Sequence, residues 1–121
     1  MRILASVLSL ALTIAFATTA IQKIRLTALQ QRTAARLAIA TSRWRQEGWL
    51  EAIFALGVAL GYKASHGSVL GVVNEVALGL LALVSAALWV RHLQRGDRVS
   101  QWAGVLALAL ASVIALLARA L

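Results

Sequence analysis

Residues 69–90 read VLGVVNEVALGLLALVSAALWV, an almost unbroken apolar run whose one charged side chain is Glu75. A helix of about 20 apolar residues crosses the ~30 Å hydrocarbon core of a bilayer. The run is therefore typical of a transmembrane helix, and it decides the class of the protein. Working outward from it, apolar segments predict four spans in all, at about 3–22, 46–63, 69–90 and 102–119.

The composition of the whole chain favours the same class. Of its 121 residues, 61% are hydrophobic and only 13% are charged, whereas a soluble domain carries about 25% charged residues. The length allows a single domain, residues 1–121. We predict an all-α integral membrane protein, a four-helix bundle with an amphipathic interfacial helix in the first connection.

That interfacial helix is predicted over about 25–43. Its arginines are spaced by seven, four and seven residues, which places them on one helical face: Arg25, Arg32, Arg36 and Arg43. Another face carries Leu26, Leu29, Leu37 and Ala40. Such a helix lies on the membrane surface, where its basic face would meet anionic lipid head groups. A solvated basic loop is the alternative.

Basic residues also indicate the orientation. Nine of the twelve Lys and Arg residues flank the first and third connections and three flank the opposite ends, so the positive-inside rule places those two connections in the cytoplasm. The four tryptophans lie near the same interface: Trp44, Trp49, Trp89 and Trp102. A competing interpretation takes the first segment as a signal peptide cleaved after Ala15-Phe16-Ala17.

A polar cluster is predicted at that interface. Lys23 ends the first segment and Glu51 lies just inside the second, where an ion pair would lower the cost of both charges. His92 follows the third segment and could complete the cluster, although an interfacial anchor is the simpler role. The run Arg95-Gly96-Asp97 is interpreted as the turn into the fourth segment.

Asn74 and Glu75 allow two interpretations. A carboxylate within a span is costly unless it is paired, protonated or hydrated, so Glu75 could be a proton- or ligand-binding acid with Asn74 beside it. Alternatively the third helix starts near Val76, and both residues cap it in the headgroup region.

Several kinds of chemistry are excluded or disfavoured by the residues present. The chain has no cysteine, which excludes thiolate metal sites and thiol relays. Its two histidines, His66 and His92, are far apart in sequence, and no metal-ligand spacing, nucleophile–base pair or phosphate-binding loop occurs. No basic groove with interleaved aromatic residues indicates nucleic acid. We expect no metal, no nucleic-acid partner and no autonomous enzymatic activity.

Three stretches together resemble the DoxX-like family of small four-helix membrane proteins: Ala20-Ile21-Gln22-Lys23-Ile24, the second-segment run from Trp49 to Gly57, and the run from Ala86 to Asp97 with its His and Arg-Gly-Asp. A glycine often seen before the lysine is missing, and Glu75 has no counterpart. The resemblance implies a multi-pass protein of the bacterial inner membrane.

The same resemblance implies a function linked to redox chemistry, since the family is named after the membrane subunit of a thiosulfate:quinone oxidoreductase. We therefore expect an accessory or membrane-anchor component of a redox or quinone-linked system, with a redox-enzyme subunit as partner. No motif is specific for a quinone. The alternatives are a small proton-coupled transporter using Glu75 and a lipid-surface protein acting through the arginine face.

Overall fold

The computed structural model describes residues 2–121 and is all-α. Each long apolar segment forms a helix near its predicted span. Three of these helices extend beyond the span at one end or at both, whereas the second begins earlier than predicted, at Thr41, and ends earlier, at Leu60. The five helices are α1 (Arg2–Arg25), α2 (Ala28–Arg36), α3 (Thr41–Leu60), α4 (Val69–Gln94) and α5 (Val99–Ala120).

Three of these helices, α1, α4 and α5, are long and apolar enough to cross a membrane. The prediction of a helical membrane protein is confirmed at this level. Helix α3 has sufficient length, but it is less apolar because Arg43, Arg45, Glu47 and Glu51 lie in its first three turns.

The four long helices are arranged so that each contacts two of the others. Helix α1 packs against α3 and α5, and α4 packs against the same two helices. Their shared core contains Leu12, Phe16, Val58, Leu78 and Leu81. Large apolar side chains also cover much of the outer surface, including Ile14, Ile53, Leu83 and Leu117, which is the distribution that lipid solvation permits.

The first connection differs from the prediction. A single helix over 25–43 is wrong, because Arg25 ends α1, α2 covers only Ala28–Arg36, and Arg43 belongs to α3. The helical structure is interrupted at Leu26 and Ala38, whose φ angles of 49° and 56° are left-handed. These breaks let Leu37 and Trp44 pack with Ala34 in a second buried cluster, and burying them outweighs continuing one surface helix.

The start of α4 settles one of the open alternatives. Its N-cap is Ser68, whose Oγ accepts a hydrogen bond from the Gly71 backbone N–H. A helix that starts near Val76 is therefore wrong, and Asn74 and Glu75 lie in its second turn instead of capping it.

The turn predicted at Arg95-Gly96-Asp97 is present. Helix α4 ends at Gln94 and α5 begins at Val99, and Gly96 supplies the left-handed conformation with a φ of 70°. The turn reverses the direction of the chain within four residues, so α5 packs antiparallel to α4 and Asp97 lies beside His92.

Candidate functional site

Lys23 and Glu51 are brought together between α1 and α3. The Lys23 Nζ lies 2.5 Å from the Glu51 Oε1, and the two side chains are only 2% and 3% exposed. Gly48 allows this approach, because a Cβ added there would lie 2.8 Å from the Lys23 Cβ. The lysine ammonium also lies 4.4 Å from the ring centroid of Trp44, a distance typical of a cation–π contact. Each charge thus has a partner away from bulk water.

The second carboxylate oxygen of Glu51 has a different environment. Oε2 is buried and has no hydrogen-bond partner among residues 2–121. A buried polar atom without a partner is costly and uncommon in native proteins. The atom is therefore an acceptor for which the described part of the chain provides no donor.

His92 is oriented by the turn that follows it. Its Nδ1 lies 2.5 Å from the Asp97 Oδ2, while the Arg36 Nε donates to the other oxygen, Oδ1, at 3.0 Å. A carboxylate only accepts hydrogen bonds, so Nδ1 is the protonated ring nitrogen. The remaining nitrogen, Nε2, makes no hydrogen bond within residues 2–121. Arg36, Asp97 and His92 thus form a chain that fixes the imidazole.

The contacts with His92 and Arg36 lower the pKa of Asp97. Burial raises that pKa, but the hydrogen bonds from His92 and Arg36 and the charge of Arg36 lower it by more, so it lies below its ordinary value. Asp97 is consequently an anion at neutral pH. It connects α2 to the turn between α4 and α5.

The three residues of the predicted cluster, Lys23, Glu51 and His92, line one cavity of about 410 Å³. We call it the polar cavity. Apolar side chains and hydroxyl or amide groups complete its lining: Phe16, Leu29, Leu88, Val105, Leu108, Thr19, Gln30, Thr33, Ser85, Ser100 and Gln101, with Arg36 and Trp44. A volume of this size lies within the range of small-molecule sites.

Helix α2 forms one wall of the polar cavity, and amide side chains hold it in place. The Trp44 Nε1 donates to the Gln30 Oε1 at 3.0 Å, and the Gln30 Nε2 donates to the Gln22 Oε1 at 3.3 Å. At the end of α2, Arg91 donates from Nε to the Leu37 carbonyl at 3.1 Å. Sequence patterns did not single out Gln22, Gln30 or Arg91 for this role, because an amide has no charge or period that identifies its partner.

The four arginines predicted to share one face have separate environments. Arg25 is at the end of α1, Arg32 and Arg36 are on α2, and Arg43 is on α3. Of these, Arg36 pairs with Asp97 and thereby becomes part of the polar cavity. The breaks at Leu26 and Ala38 disrupt the single face, since they change the helical register between the arginines.

Asn74 and Glu75 lie at the other end of the four long helices, and they have different partners. The Asn74 amide is buried and donates to the Val58 carbonyl at 2.9 Å and to the Ser9 Oγ at 3.2 Å. The Glu75 Oε1 lies 2.6 Å from the Nδ1 of His66, whose side chain is 57% exposed. Eighteen residues of α4 separate Asn74 from His92, a rise of about 27 Å, so neither residue belongs to the polar cavity.

Arg119 is a buried charge near the end of α5, and from the sequence alone it is only one of the three basic residues that flank the ends opposite the first and third connections. Its Nε donates to the Asn74 Oδ1 at 2.7 Å, its Nη2 donates to the Tyr62 carbonyl at 2.7 Å, and its Nη1 donates to the Ala64 carbonyl. These bonds join α4, α5 and the turn after α3. Its charge within the apolar end of α5 could have marked Arg119 as buried, but the sequence could not show its partners, which are 45 to 57 positions away.

Within residues 2–121, no group of three or more His, Asp or Glu side chains is arranged to hold a metal ion. The resemblance to the DoxX-like family therefore depends on the residues quoted for it alone, since no described protein family, curated protein or solved structure matches this chain.

Proposed function

We propose that the protein is a DoxX-like integral membrane protein whose polar cavity binds the head group of a quinone-class ligand. It would act as an accessory or anchor component of a redox system, beside a redox-enzyme subunit. Helices α1, α3, α4 and α5 form a transmembrane four-helix bundle in this proposal, and α2 lies at the interface. The contacts of α3 with α1 and α4 support a fourth span, since both neighbours are long and apolar enough to cross.

The single observation that carries the proposal is the unpartnered Oε2 of Glu51 in the polar cavity. A ligand hydroxyl would supply the missing donor and remove the cost of a buried unsatisfied acceptor. The apolar lining from Phe16, Leu88 and Leu108 suits a ring, and the Nε2 of His92 offers a second polar contact. The residues therefore fit a quinol head group.

A bound quinone would supply two-electron, two-proton chemistry. The residues of the chain would hold and orient it. Lys23 holds the Glu51 carboxyl group in place through its contact with Oε1, and Asp97 keeps the proton of His92 on Nδ1, which leaves Nε2 as an acceptor. Both side chains could then accept a hydrogen bond, or a proton, from a hydroxyl group.

Trp44 provides the test, because it lines the polar cavity and contacts Lys23. Purified protein in detergent is titrated anaerobically with a short-chain quinol, because only the reduced form has hydroxyl donors, and tryptophan fluorescence is recorded. We expect saturable quenching that is largely lost in Trp44→Phe, with at least tenfold weaker binding in Glu51→Gln. The matched control is Glu47→Gln, an acid one turn earlier on α3 and outside this cavity.

Two results would contradict the proposal. One is quenching that rises linearly with quinol concentration, as expected for partition into the micelle. The other is an unchanged dissociation constant in Glu51→Gln and His92→Phe when both variants remain folded by circular dichroism. A redox-enzyme subunit that co-purifies with the chain would support the accessory role.

The alternative of a small proton-coupled transporter depends on Glu75. Its contact with the exposed His66 would let it exchange protons with the aqueous side of the bilayer. A proton-dependent uptake assay with Glu75→Gln separates this function from the first. Unchanged flux in the variant removes the alternative, whereas loss of flux with intact quinone binding favours it.

Orientation and lipid contact are part of the same proposal. The charge bias supports a cytoplasmic location for the first and third connections, in the bacterial inner membrane. Arg25 and Arg32 form no ion pair within residues 2–121 and remain free to attract anionic head groups.

A further inference from the structure

A second cavity lies on the outside of the helix pair α3 and α4, beneath the linker 38–40. Its volume is about 440 Å³, and we call it the outer groove. Arg43, Glu47 and Leu50 of α3 form one wall, and Val84, Ala87 and Arg91 of α4 form much of the other. The groove shares only Leu88 with the polar cavity, and it has no part in the function proposed above.

Both walls change from charged to apolar in the same direction. Along α3 the lining runs from Arg43 through Glu47 to Leu50, and along α4 it runs from Arg91 back to Ala87 and Val84. Each series covers eight residues, and the seven steps between its ends rise about 10 Å along the helix. The helices are antiparallel, so the charged ends coincide. The result is a slot with a polar head and an apolar lower part.

The charges at the head of the outer groove are available to a ligand. Arg43 and Glu47 form neither an ion pair nor a side-chain hydrogen bond within residues 2–121. Arg91 is anchored by the Leu37 and Ala38 carbonyls, which satisfy some of its donors without neutralising its charge. Two cations and one anion therefore line the same end of an apolar slot.

This arrangement matches the parts of one class of lipid. A phosphate bears a negative charge that Arg43 and Arg91 would bind, a primary ammonium would pair with Glu47, and an acyl chain would cover Leu50, Val84 and Ala87. A head group without an amine would leave Glu47 facing a phosphate, where like charges repel. A choline head group has no N–H to donate to the Glu47 carboxylate.

We propose that the outer groove is a specific site for one phospholipid with a primary-amine, zwitterionic head group, of the phosphatidylethanolamine class. The bound lipid would fill the space under the linker 38–40 and join α3 to α4 on the lipid side. This differs from general attraction of the arginines to an anionic surface, because Glu47 makes the site selective for an amine.

Native mass spectrometry of delipidated full-length protein in a nonionic detergent tests the proposal. Palmitoyl-oleoyl phosphatidylethanolamine, phosphatidylcholine and phosphatidylglycerol are added separately at equal concentration. We expect one tightly bound phosphatidylethanolamine, with at least tenfold weaker binding of the other two. Arg43→Gln should weaken that binding about tenfold. Glu47→Gln should remove the preference and raise phosphatidylglycerol binding.

Arg32→Gln and Glu75→Gln are the matched controls, because they remove a cation and an acid outside the groove. Both should bind phosphatidylethanolamine like the wild type. Equal binding of the three lipids by the wild type, or a preference for phosphatidylglycerol, would overturn the proposal. So would unchanged selectivity in a folded Arg43→Gln/Glu47→Gln double variant. Quinone binding is measured separately, so either proposal can fail alone.

Discussion

At the scale of single residues, the charges of Lys23 and Glu51 are held away from water only because each has the other. Their side chains are 2% and 3% exposed, and removing one member of a buried pair leaves an uncompensated charge. Asp97 has the same dependence on its neighbours, since His92 and Arg36 each contact one of its two oxygens. The charged residues beside the polar cavity therefore depend on one another, and the effect of each on stability depends on its partner.

The ion pair predicts strong coupling between two substitutions. Lys23→Ala and Glu51→Ala should each destabilise the protein by about 3–5 kcal/mol, whereas the double variant should lose less than the sum because no lone charge remains. Unfolding midpoints in detergent measure this coupling. Glu47→Ala on the same helix is the control, and it should change the stability of delipidated protein little. Additive losses would show that the two charges act independently.

Asp97 predicts a dependence of stability on pH. Its pKa lies below the ordinary value of 3.8, so the ionised carboxylate stabilises the folded state above about pH 4, and this contribution is lost as the pH falls through the lower, folded-state pKa. At pH 7, Asp97→Asn should lower the unfolding temperature. The difference from the wild type should narrow below about pH 4. The neighbouring Gln94→Ala variant should show no such narrowing, and a constant difference for Asp97→Asn would contradict the assignment.

At the scale of helices, close approach depends on particular glycines. A Cβ added at Gly61 would overlap the Leu70 carbonyl oxygen and lie 2.7 Å from the Asn74 Cβ, whereas a Cβ at Gly79 would meet nothing within 4 Å. Gly61 directly follows the end of α3, and Gly79 lies within α4. Their roles differ because only one of them faces a neighbouring helix.

This contrast predicts opposite effects of the same substitution. Gly61→Ala should destabilise the protein by about 1–3 kcal/mol through overpacking between α3 and α4. Gly79→Ala should be neutral or should stabilise it by up to about 1 kcal/mol, since alanine favours a helix more than glycine does. Thermal unfolding of the two variants in the same detergent measures the difference. Equal effects would mean that the two helices do not approach each other at Gly61.

At the scale of the whole molecule, charged groups gather at both ends of the long helices while the middle is apolar. Lys23, Glu51 and His92 lie at one end, and Arg119 and Glu75 lie at the other. The two ends are built differently. The first encloses a cavity with an unpartnered acceptor, whereas Arg119 makes three hydrogen bonds that join α4, α5 and the turn after α3.

The proposed orientation predicts opposite labelling of the two ends. The chain has no cysteine, so single cysteines report cleanly at exposed positions. Ser65→Cys should react with a membrane-impermeant maleimide in intact bacterial spheroplasts, and Gln94→Cys should react only after permeabilisation. The reverse pattern would contradict the positive-inside assignment. Reaction of both sites without permeabilisation would contradict the four-span arrangement.

The sequence by itself determined the helical class and the approximate positions of the four long helices. These properties depend on local composition, because about 20 apolar residues form a helix whenever they enter a bilayer. The turn at Arg95-Gly96-Asp97 was also predictable, since it depends on neighbours in the chain. Lys23, Glu51 and His92 were singled out because each marks the end of an apolar segment.

Only the tertiary structure decided which partners those residues have. The Lys23–Glu51 contact joins residues 28 positions apart, and the Arg36–Asp97 contact joins residues 61 positions apart. No periodicity in the sequence predicts contacts at such large separations. The helix predicted over 25–43 was wrong for the same reason. Its arginine spacing was regular, but the free energy gained by burying Leu37 and Trp44 depends on the packing of the whole molecule. That packing is reached by interrupting the helix at Leu26 and Ala38.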